Sequence, residues 1–210
     1  YVVRVAIGSV MTFCMNKILI TYHSAKETAA TAFGIYFKLN SFVFMPVFGL
    51  NNGVIPIIAY NYGAQQRRRM IETVKRSTVY ASCVMILGMV IFQLFPGPLL
   101  KIFKATDTMM SVGIPALRII GTHFVLAGFC IIAGSVCQAI GNPLHSLLIS
   151  ICRQMLVLLP AAWLLSLSGR LELVWLAFPI AELVSLVLSA VFLKKTLRRV
   201  DSTLSAAEAA

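Results

Sequence analysis

The 210-residue chain is short of charge, because Asp, Glu, Lys and Arg together make up only 12% of it and acidic residues number 7. A typical soluble domain is about 25% charged. Hydrophobic residues make up 59% of the chain, so its charged residues are too few to cover a water-facing surface. A soluble enzyme, a disordered tail and a secreted disulfide scaffold are therefore all disfavoured.

The sequence also lacks the motifs by which many enzymes and metal sites are recognised. It contains no HExxH, no glycine-rich phosphate loop, no GxSxG and no pair of aspartates within an apolar run. Its five cysteines stand singly inside apolar runs, and we interpret them as reduced, buried side chains. We predict that the protein is not an enzyme and holds no metal ion or other cofactor.

Long apolar runs are what the chain has in abundance. They lie at about residues 3–22, 32–60, 77–95, 114–139, 145–167 and 172–193. Each approaches or exceeds the roughly 20 residues that cross a bilayer as a helix. Since lipid offers the backbone no hydrogen-bonding partner, helices are expected. We predict an all-α membrane protein with six transmembrane helices within residues 1–199 and a polar C-terminal tail at 200–210.

The net charge of +11 is distributed unevenly between the two ends of these helices. Ten basic residues lie at one end: Arg4, Arg67, Arg68, Arg69, Lys75, Arg76, Lys194, Lys195, Arg198 and Arg199. Four lie at the other: Lys26, Lys101, Lys104 and Arg170. Basic residues collect in cytoplasmic loops and meet anionic lipids there. We therefore place both ends of this segment in the cytoplasm, and we expect no nucleic acid partner.

The basic amphipathic stretch 61–76 belongs to the cytoplasmic end of this topology. It is predicted either to lie along the membrane surface or to form a solvated loop.

Two opposite charges inside the apolar runs are the strongest pointers to function, because an unpaired charge in a membrane costs several kcal/mol. Arg153 and Glu182 fall at nearly the same depth of an antiparallel hairpin, roughly 13 and 16 Å from its opposite ends. Two polar stripes accompany them: Glu182, Ser185 and Ser189, and on the preceding run Ser146, Ser150 and Arg153. We predict that Arg153 and Glu182 pair, either as a structural ion pair or with Glu182 coupled to transport.

Three cations, Lys17, Lys38 and Arg118, are predicted to lie in the outer half of the membrane without an acidic partner at their depth. For Lys17 and Arg118, extension of the side chain to the outer headgroups is a sufficient explanation. His123 is interpreted either as a packing residue or as a proton-relay group.

Lys38 is deeper and shares a helix face with Phe42, Met45 and Asn52. Residues spaced three, four or seven apart line one side of a helix. We predict that these four side chains line a substrate cavity.

Several segments resemble MATE (multidrug and toxic compound extrusion) transporters. Residues 33–64, FGIYFKLNSFVFMPVFGLNNGVIPIIAYNYGA, are similar to the eighth membrane helix and following loop of that family. Further similarity lies in PALRII at 115–120, QAIGNP at 138–143 and WLAFPIAE at 175–182. The resemblance covers residues 3–197 and is closest to bacterial NorM/DinF-like members. It implies that the chain is the C-terminal six-helix lobe of a twelve-helix transporter.

The resemblance implies a secondary active multidrug efflux antiporter of the bacterial inner membrane. It would export amphipathic, cationic compounds in exchange for H⁺ or Na⁺, with the N-terminal lobe and the small-molecule substrate as partners. Family members with a cation site carry acidic residues on the seventh and tenth helices, but runs 3–22 and 114–139 hold none. The coupling carboxylate is then either Glu182 or an Asp on the first helix of the other lobe, which we favour.

Two other functions stay open on sequence grounds. One is an exporter or flippase of an anionic lipid-linked or nucleotide-like compound, for which the unpaired cations argue. The other is a membrane scaffold without transport, which would leave Lys38 and Asn52 inaccessible to water-soluble thiol labels when they are replaced by cysteine.

Overall fold

A computed structural model describes residues 2–22 and 26–208, and within them every regular element is helical. The α-helices are α1 (Val2–Tyr22), α2 (Lys26–Gly63), α3 (Arg67–Leu94), α4 (Pro96–Ile102), α5 (Asp107–Gly121), α6 (Phe124–Ala139), α7 (Pro143–Ile151), α8 (Leu159–Ser166), α9 (Leu171–Trp175) and α10 (Ala177–Glu208). A π-helical segment, Cys152–Leu158, joins α7 to α8. The prediction of an all-α membrane protein is confirmed.

The membrane-crossing helices follow the apolar runs of the sequence. Within the described residues, four stretches are long and apolar enough to cross: Glu27–Gly63, Arg67–Leu94, Pro143–Ser166 and Leu171–Ser202. The pair α5 and α6 makes a fifth when it counts as one bent span. The apolar part of α1, Ala6–Thr21, is shorter than these. A sixth crossing by α1 therefore stays a prediction.

The span predicted at 114–139 is broken near its middle, where α5 and α6 meet at an angle of 48°. The amides of Thr122 and His123 donate to the carbonyls of Ile119 and Ile120, which are three residues back instead of four. This tighter turn ends α5 and changes the direction of the chain before α6 begins. It also places His123 at the bend, inside the protein.

The span predicted at 145–167 is continuous but contains the π-helical segment Cys152–Leu158. Pro160 lies two residues after the end of this segment and has no amide hydrogen to donate to a carbonyl one turn back. A π-helical turn carries one extra residue and rotates the side chains after it around the helix. Arg153 and Gln154 lie within this turn.

The basic stretch 61–76 was predicted as a surface segment or a loop, and both alternatives are wrong. Gly63 is still part of α2, and α3 begins at Arg67, so only residues 64–66 connect the two helices. The guanidinium of Arg67 pairs with Asp201 near the end of α10, with Nη2 3.2 Å from Oδ2.

The predicted tail does not begin as a separate segment. Helix α10 continues to Glu208, and Val200 is buried against the other helices. The pair of Asp201 with Arg67 ties this end of α10 to the start of α3.

The turn between α6 and α7 accounts for the sequence segment QAIGNP at 138–143. Gly141 adopts φ +84°, which a residue without Cβ adopts at little cost. The amide of Asn142 donates to the carbonyl of Cys137 at 2.9 Å, and that of Gly141 to Gln138 at 3.2 Å. These two bonds end α6 as a Schellman motif, and Pro143 then begins α7.

Helix α6 lies at the centre of the fold and packs against α2, α3 and α10. At Gly128 its face toward α3 carries no side chain, and a Cβ there would lie only 3.4 Å from the carbonyl oxygen of Ala81. Because the helix surface is so flat there, the backbones of α3 and α6 approach closely, as is common between membrane helices.

Candidate functional site

A cavity of about 420 Å³ lies between α1, α2, the π-helical segment and the outer part of α10. Its wall comprises Gly8, Met11, Tyr36, Phe37, Asn40, Ser41, Phe44, Met45, Phe48, His123, Arg153, Gln154, Leu158, Phe178, Ala181 and Glu182. The bend between α5 and α6 supplies His123, and the π-helical segment supplies Arg153 and Gln154. The irregular parts of two spans thus meet at this cavity.

The cavity contains the predicted ion pair. Nη1 of Arg153 lies 3.4 Å from Oε2 of Glu182, and their side chains are 27% and 4% exposed. Both side chains line the cavity, and Arg153 is the more exposed of the two. The other carboxylate oxygen, Oε1, has no nitrogen or oxygen partner within the described residues.

Two amide side chains add further unpaired acceptors to the wall. Oδ1 of Asn40 on α2 and Oε1 of Gln154 are buried, and neither has a hydrogen-bonding partner in the described part of the chain. Unpaired buried oxygens are uncommon in proteins and usually bind water or a ligand. The cavity thus offers acceptors for a donor-bearing guest beside the guanidinium donors of Arg153.

His123 is buried among aromatic rings at the bend. Its ring lies 5.0 Å from that of Phe124 and 6.2 Å from that of Phe178, and its Nδ1 contacts the carbonyl of Ile120. A neutral ring that donates from Nδ1 leaves Nε2 as an acceptor. His123 therefore packs in the core, as one interpretation predicted, and it also lines the cavity; its role as a proton-relay group stays a prediction.

Aromatic side chains form much of the remaining wall. The rings of Tyr36 and Phe178 meet edge to face at 5.6 Å, and Phe44 stacks against His123 at 6.4 Å. Such rings give a large apolar contact area and, on their faces, a weak attraction for cations. The site is thus amphipathic, and it is suited to binding and not to covalent chemistry. The described residues contain no cluster of three metal-ligating side chains.

The structure brings together only part of the predicted cavity set. Met45 lines the cavity, whereas Lys38 and Asn52 are exposed and lie outside it. Phe42 instead lines a separate apolar groove of about 590 Å³ between α2, α3 and α4. The prediction that Lys38, Phe42 and Asn52 line the cavity is therefore not supported by this structure.

The outer-half cations also lie away from the cavity. Lys17 on α1 and Arg118 on α5 are exposed, which agrees with the interpretation that they extend toward headgroups. The carbonyl of Arg118 accepts a hydrogen bond from Nε2 of Gln93 at 2.8 Å.

Tyr36 and Asn40 are cavity residues that the sequence interpretation missed. They belong to a face of α2 that continues through Ser41 and Phe44, with helical spacing. At 100° per residue, this face is rotated by about 100° from the one that holds Lys38. Polar residues at 40 and 41 within an apolar run were the sequence signal for it.

The cavity assignment predicts a contrast between two neighbouring cysteine variants. In a full-length protein without native cysteines, Met45→Cys should react with a charged, water-soluble thiol reagent, because the reactive thiolate forms in water. Phe42→Cys faces the apolar groove and should react much more slowly. Equal labelling of the two variants, or protection of Met45→Cys alone, would contradict the assignment.

Comparison with known proteins gives consistent matches. The family model described as MatE matches residues 1–164. Multidrug export protein MepA of Staphylococcus haemolyticus is 27% identical over 195 residues, which is 92% of this chain and 42% of MepA. The FAD transporter of Shewanella oneidensis is 27% identical over 157 residues, 75% of this chain and 35% of that protein.

Among solved structures, a MOP superfamily transporter from Pyrococcus furiosus, described as having a binding pocket of reverse polarity, has a similar fold. The TM-score is 0.87 at 17% identity, and the match covers 95% of this chain and 45% of the other. At this identity the likeness concerns the fold alone. The chain spans less than half the length of each of these three proteins.

Proposed function

Because the chain belongs to the MatE family of transporters, we propose that it is the C-terminal lobe of a secondary active exporter. The exporter moves amphipathic, cationic compounds out of the cell in exchange for H⁺ or Na⁺, and lies in the bacterial inner membrane with both ends of this segment in the cytoplasm. The observation that carries the proposal is the amphipathic cavity around the Arg153–Glu182 pair.

The cationic substrate class is supported by two features of the cavity. Ring faces of Tyr36, Phe44 and Phe178 attract cations. Glu182 carries a carboxylate oxygen without a nitrogen or oxygen partner in the described residues, and a substrate cation or a proton can compete with Arg153 for this carboxylate.

The partner is the N-terminal lobe of the same full-length protein. On the cavity side of α2, Phe37, Met45 and Phe48 are exposed in this lobe. A second lobe would cover these side chains and complete the cavity, and rocking of the two lobes would give alternating access. We therefore expect the isolated lobe not to transport.

The test uses the full-length protein reconstituted in vesicles, with a proton gradient or a sodium gradient imposed separately. Gradient-driven movement of a cationic dye should appear under one of the two gradients, which identifies the coupling ion. The isolated lobe serves as the inactive control. Folded full-length protein that moves no dye under either gradient would overturn the proposal.

A second candidate, export of an anionic nucleotide-like or lipid-linked compound, is favoured by the exposure of the ion pair. Arg153 is the more exposed member of the pair at the cavity, so a substrate phosphate would meet a guanidinium first. The FAD transporter of Shewanella oneidensis is a relative whose name fits this class. In the same vesicles, uptake of a fluorescent dinucleotide in place of the dye would establish this second function.

A further inference from the structure

Three serines are buried behind the cavity. Ser185 and Ser189 on α10 and Ser146 on α7 are each at most 3% exposed. Their hydroxyl oxygens have no nitrogen or oxygen partner within the described part of the chain. In proteins such groups are nearly always satisfied, and ordered water is the usual partner where the protein supplies none.

Two contacts define the relative orientation of α7, with the π-helical segment that follows it, and α10. At the cavity, Arg153 pairs with Glu182 at 3.4 Å. Toward the basic end of the lobe, the rings of His145 and Phe192 stack with their centroids 4.7 Å apart. The two helices are thus antiparallel, and these contacts bracket the segment between them.

The serines lie inside this bracketed segment. Counting along the antiparallel pair from Arg153 and Glu182, Ser146 comes level with Ser189, and Ser150 with Ser185. Helix α6 closes the third side, where the thiol of Cys130 lies against Ser185, Ser189 and Glu182. These buried polar side chains therefore follow one another along the interface, and we call them the file.

The file has an ionisable group at each end. Glu182 begins it at the cavity, and its Oε1 is unpaired toward nitrogen and oxygen among the described residues. His145 ends it near the start of α7, and its buried Nδ1 likewise has no partner there. From Glu182 to the level of Phe192 is about 15 Å along α10. A carboxyl, hydroxyls, and an imidazole whose ring nitrogens can accept and donate protons thus follow one another.

We propose that the interface of α7, α6 and α10 holds a file of water molecules that conducts protons between Glu182 at the cavity and His145 at the basic end of the lobe. A proton that leaves the Glu182 carboxyl forms an O–H bond to a water molecule, which passes one of its own protons onward. The last transfer forms an N–H bond at Nδ1 of His145, and the imidazolium then releases a proton to bulk water. Charge and bonds are balanced at each step.

The side chains that face Glu182 determine when a proton moves from its carboxyl into the file. They are Arg153 in the π-helical segment, Tyr36 on α2, His123 at the bend and Cys130 on α6. While Arg153 is paired with the carboxylate, the file carries no proton from the cavity. When substrate draws Arg153 away, Glu182 can take up a proton from the cavity and pass it along the file.

The pathway deepens the proposed function, since it gives the coupled proton a route through this lobe, but its hydration can be measured without transport. In D₂O, the infrared S–H band of Cys130, assigned by its loss in Cys130→Ala, should convert to the S–D band as fast as solvent exchange in an aqueous site. A Cys130 thiol that stays unexchanged for hours in the folded full-length protein would mean a dry interface and would overturn the pathway.

The conduction step is tested by removing the hydroxyls. The double variant Ser185→Ala/Ser189→Ala should slow proton-driven dye transport several-fold, and dye–dye exchange, which needs no net proton movement, should be unchanged. Ser135→Ala is the matched control, because this buried hydroxyl already bonds the Ile131 carbonyl at 2.8 Å. His145→Gln, at the far end of the file, should behave like the double variant.

The outcomes separate the pathway from the transport function. If the wild type moves dye on a proton gradient and both file variants do so at the wild-type rate, the pathway is wrong and the exporter stands. If the wild type moves no dye under any gradient, the proposed function fails, and the Cys130 exchange still decides whether the file is hydrated.

Discussion

Replacing Arg153 by Ala should destabilise the full-length protein by about 3–5 kcal/mol, because it leaves a buried carboxylate without its partner. Glu182 is 4% exposed, so water from the cavity reaches it poorly. Glu182→Gln is the milder change. It leaves Arg153, which is 27% exposed, and the cavity can hydrate that side chain. We expect Glu182→Gln to cost about 1–2 kcal/mol, the scale of one lost charged hydrogen bond.

The measurement is the denaturation midpoint in detergent, compared among the wild type, the two single variants and Arg153→Ala/Glu182→Gln. The double variant removes both charges and should be more stable than Arg153→Ala alone. A folded Arg153→Ala protein as stable as Glu182→Gln would show that the depth of Glu182 in the structure is wrong. Loss of proton-driven transport in a stable Glu182→Gln protein would instead assign the coupling role to this carboxyl.

The pairing of Arg153 with Glu182 could be predicted from the sequence because it depends only on the depth of each residue along its helix. Two consecutive membrane helices joined by a short connection are antiparallel, so equal depth follows from counting residues at 1.5 Å each. The π-helical segment shifts the count by a residue but leaves Arg153 within reach of Glu182. Depth is thus readable from sequence wherever both ends of a helix are marked by polar residues.

The orientation of α2 could not be predicted in the same way. In a soluble helix the polar side faces water, but every side of α2 is mostly apolar, and the cavity side differs from the others only by a few polar residues such as Asn40 and Ser41. Lys38 was therefore a poor guide to the cavity, and it is exposed on another side of the helix. Met45 lies at the border between the predicted face and the observed one, which is why it alone of the four predicted lining residues was placed correctly.

The irregular elements were beyond prediction from a single sequence for a related reason. The bend at Thr122 and His123 and the π-helical turn both lie inside apolar runs, where composition does not change. They form because tertiary packing outweighs local preference, and they supply four residues of the cavity wall: His123, Arg153, Gln154 and Leu158. The cavity therefore depends on a helix bend and a π-helical segment that a hydropathy profile does not reveal.

A substitution where α2 crosses α3 should also have a large effect on stability, because the two helices are tightly packed there. A Cβ on Gly88 of α3 would lie 2.3 Å from Cγ1 of Val43 on α2, well inside contact distance. Gly88→Ala should therefore push the two helices apart and cost about 1–3 kcal/mol, as overpacking of a tight interface does. The same displacement moves the side of α2 that carries Phe44 and Met45, so substrate affinity should weaken as well.

Val43→Ala provides the matched partner, because it removes the two methyl groups that the new Cβ would meet. The double variant Gly88→Ala/Val43→Ala should recover most of the stability lost in Gly88→Ala, with a coupling of about 1–2 kcal/mol between the two sites in denaturation of the full-length protein. Additive losses would mean that α2 and α3 do not cross at these residues. If the double variant recovers stability but not dye binding, the clash between the two helices has been relieved. The remaining loss of binding would then come from a changed tilt of α2.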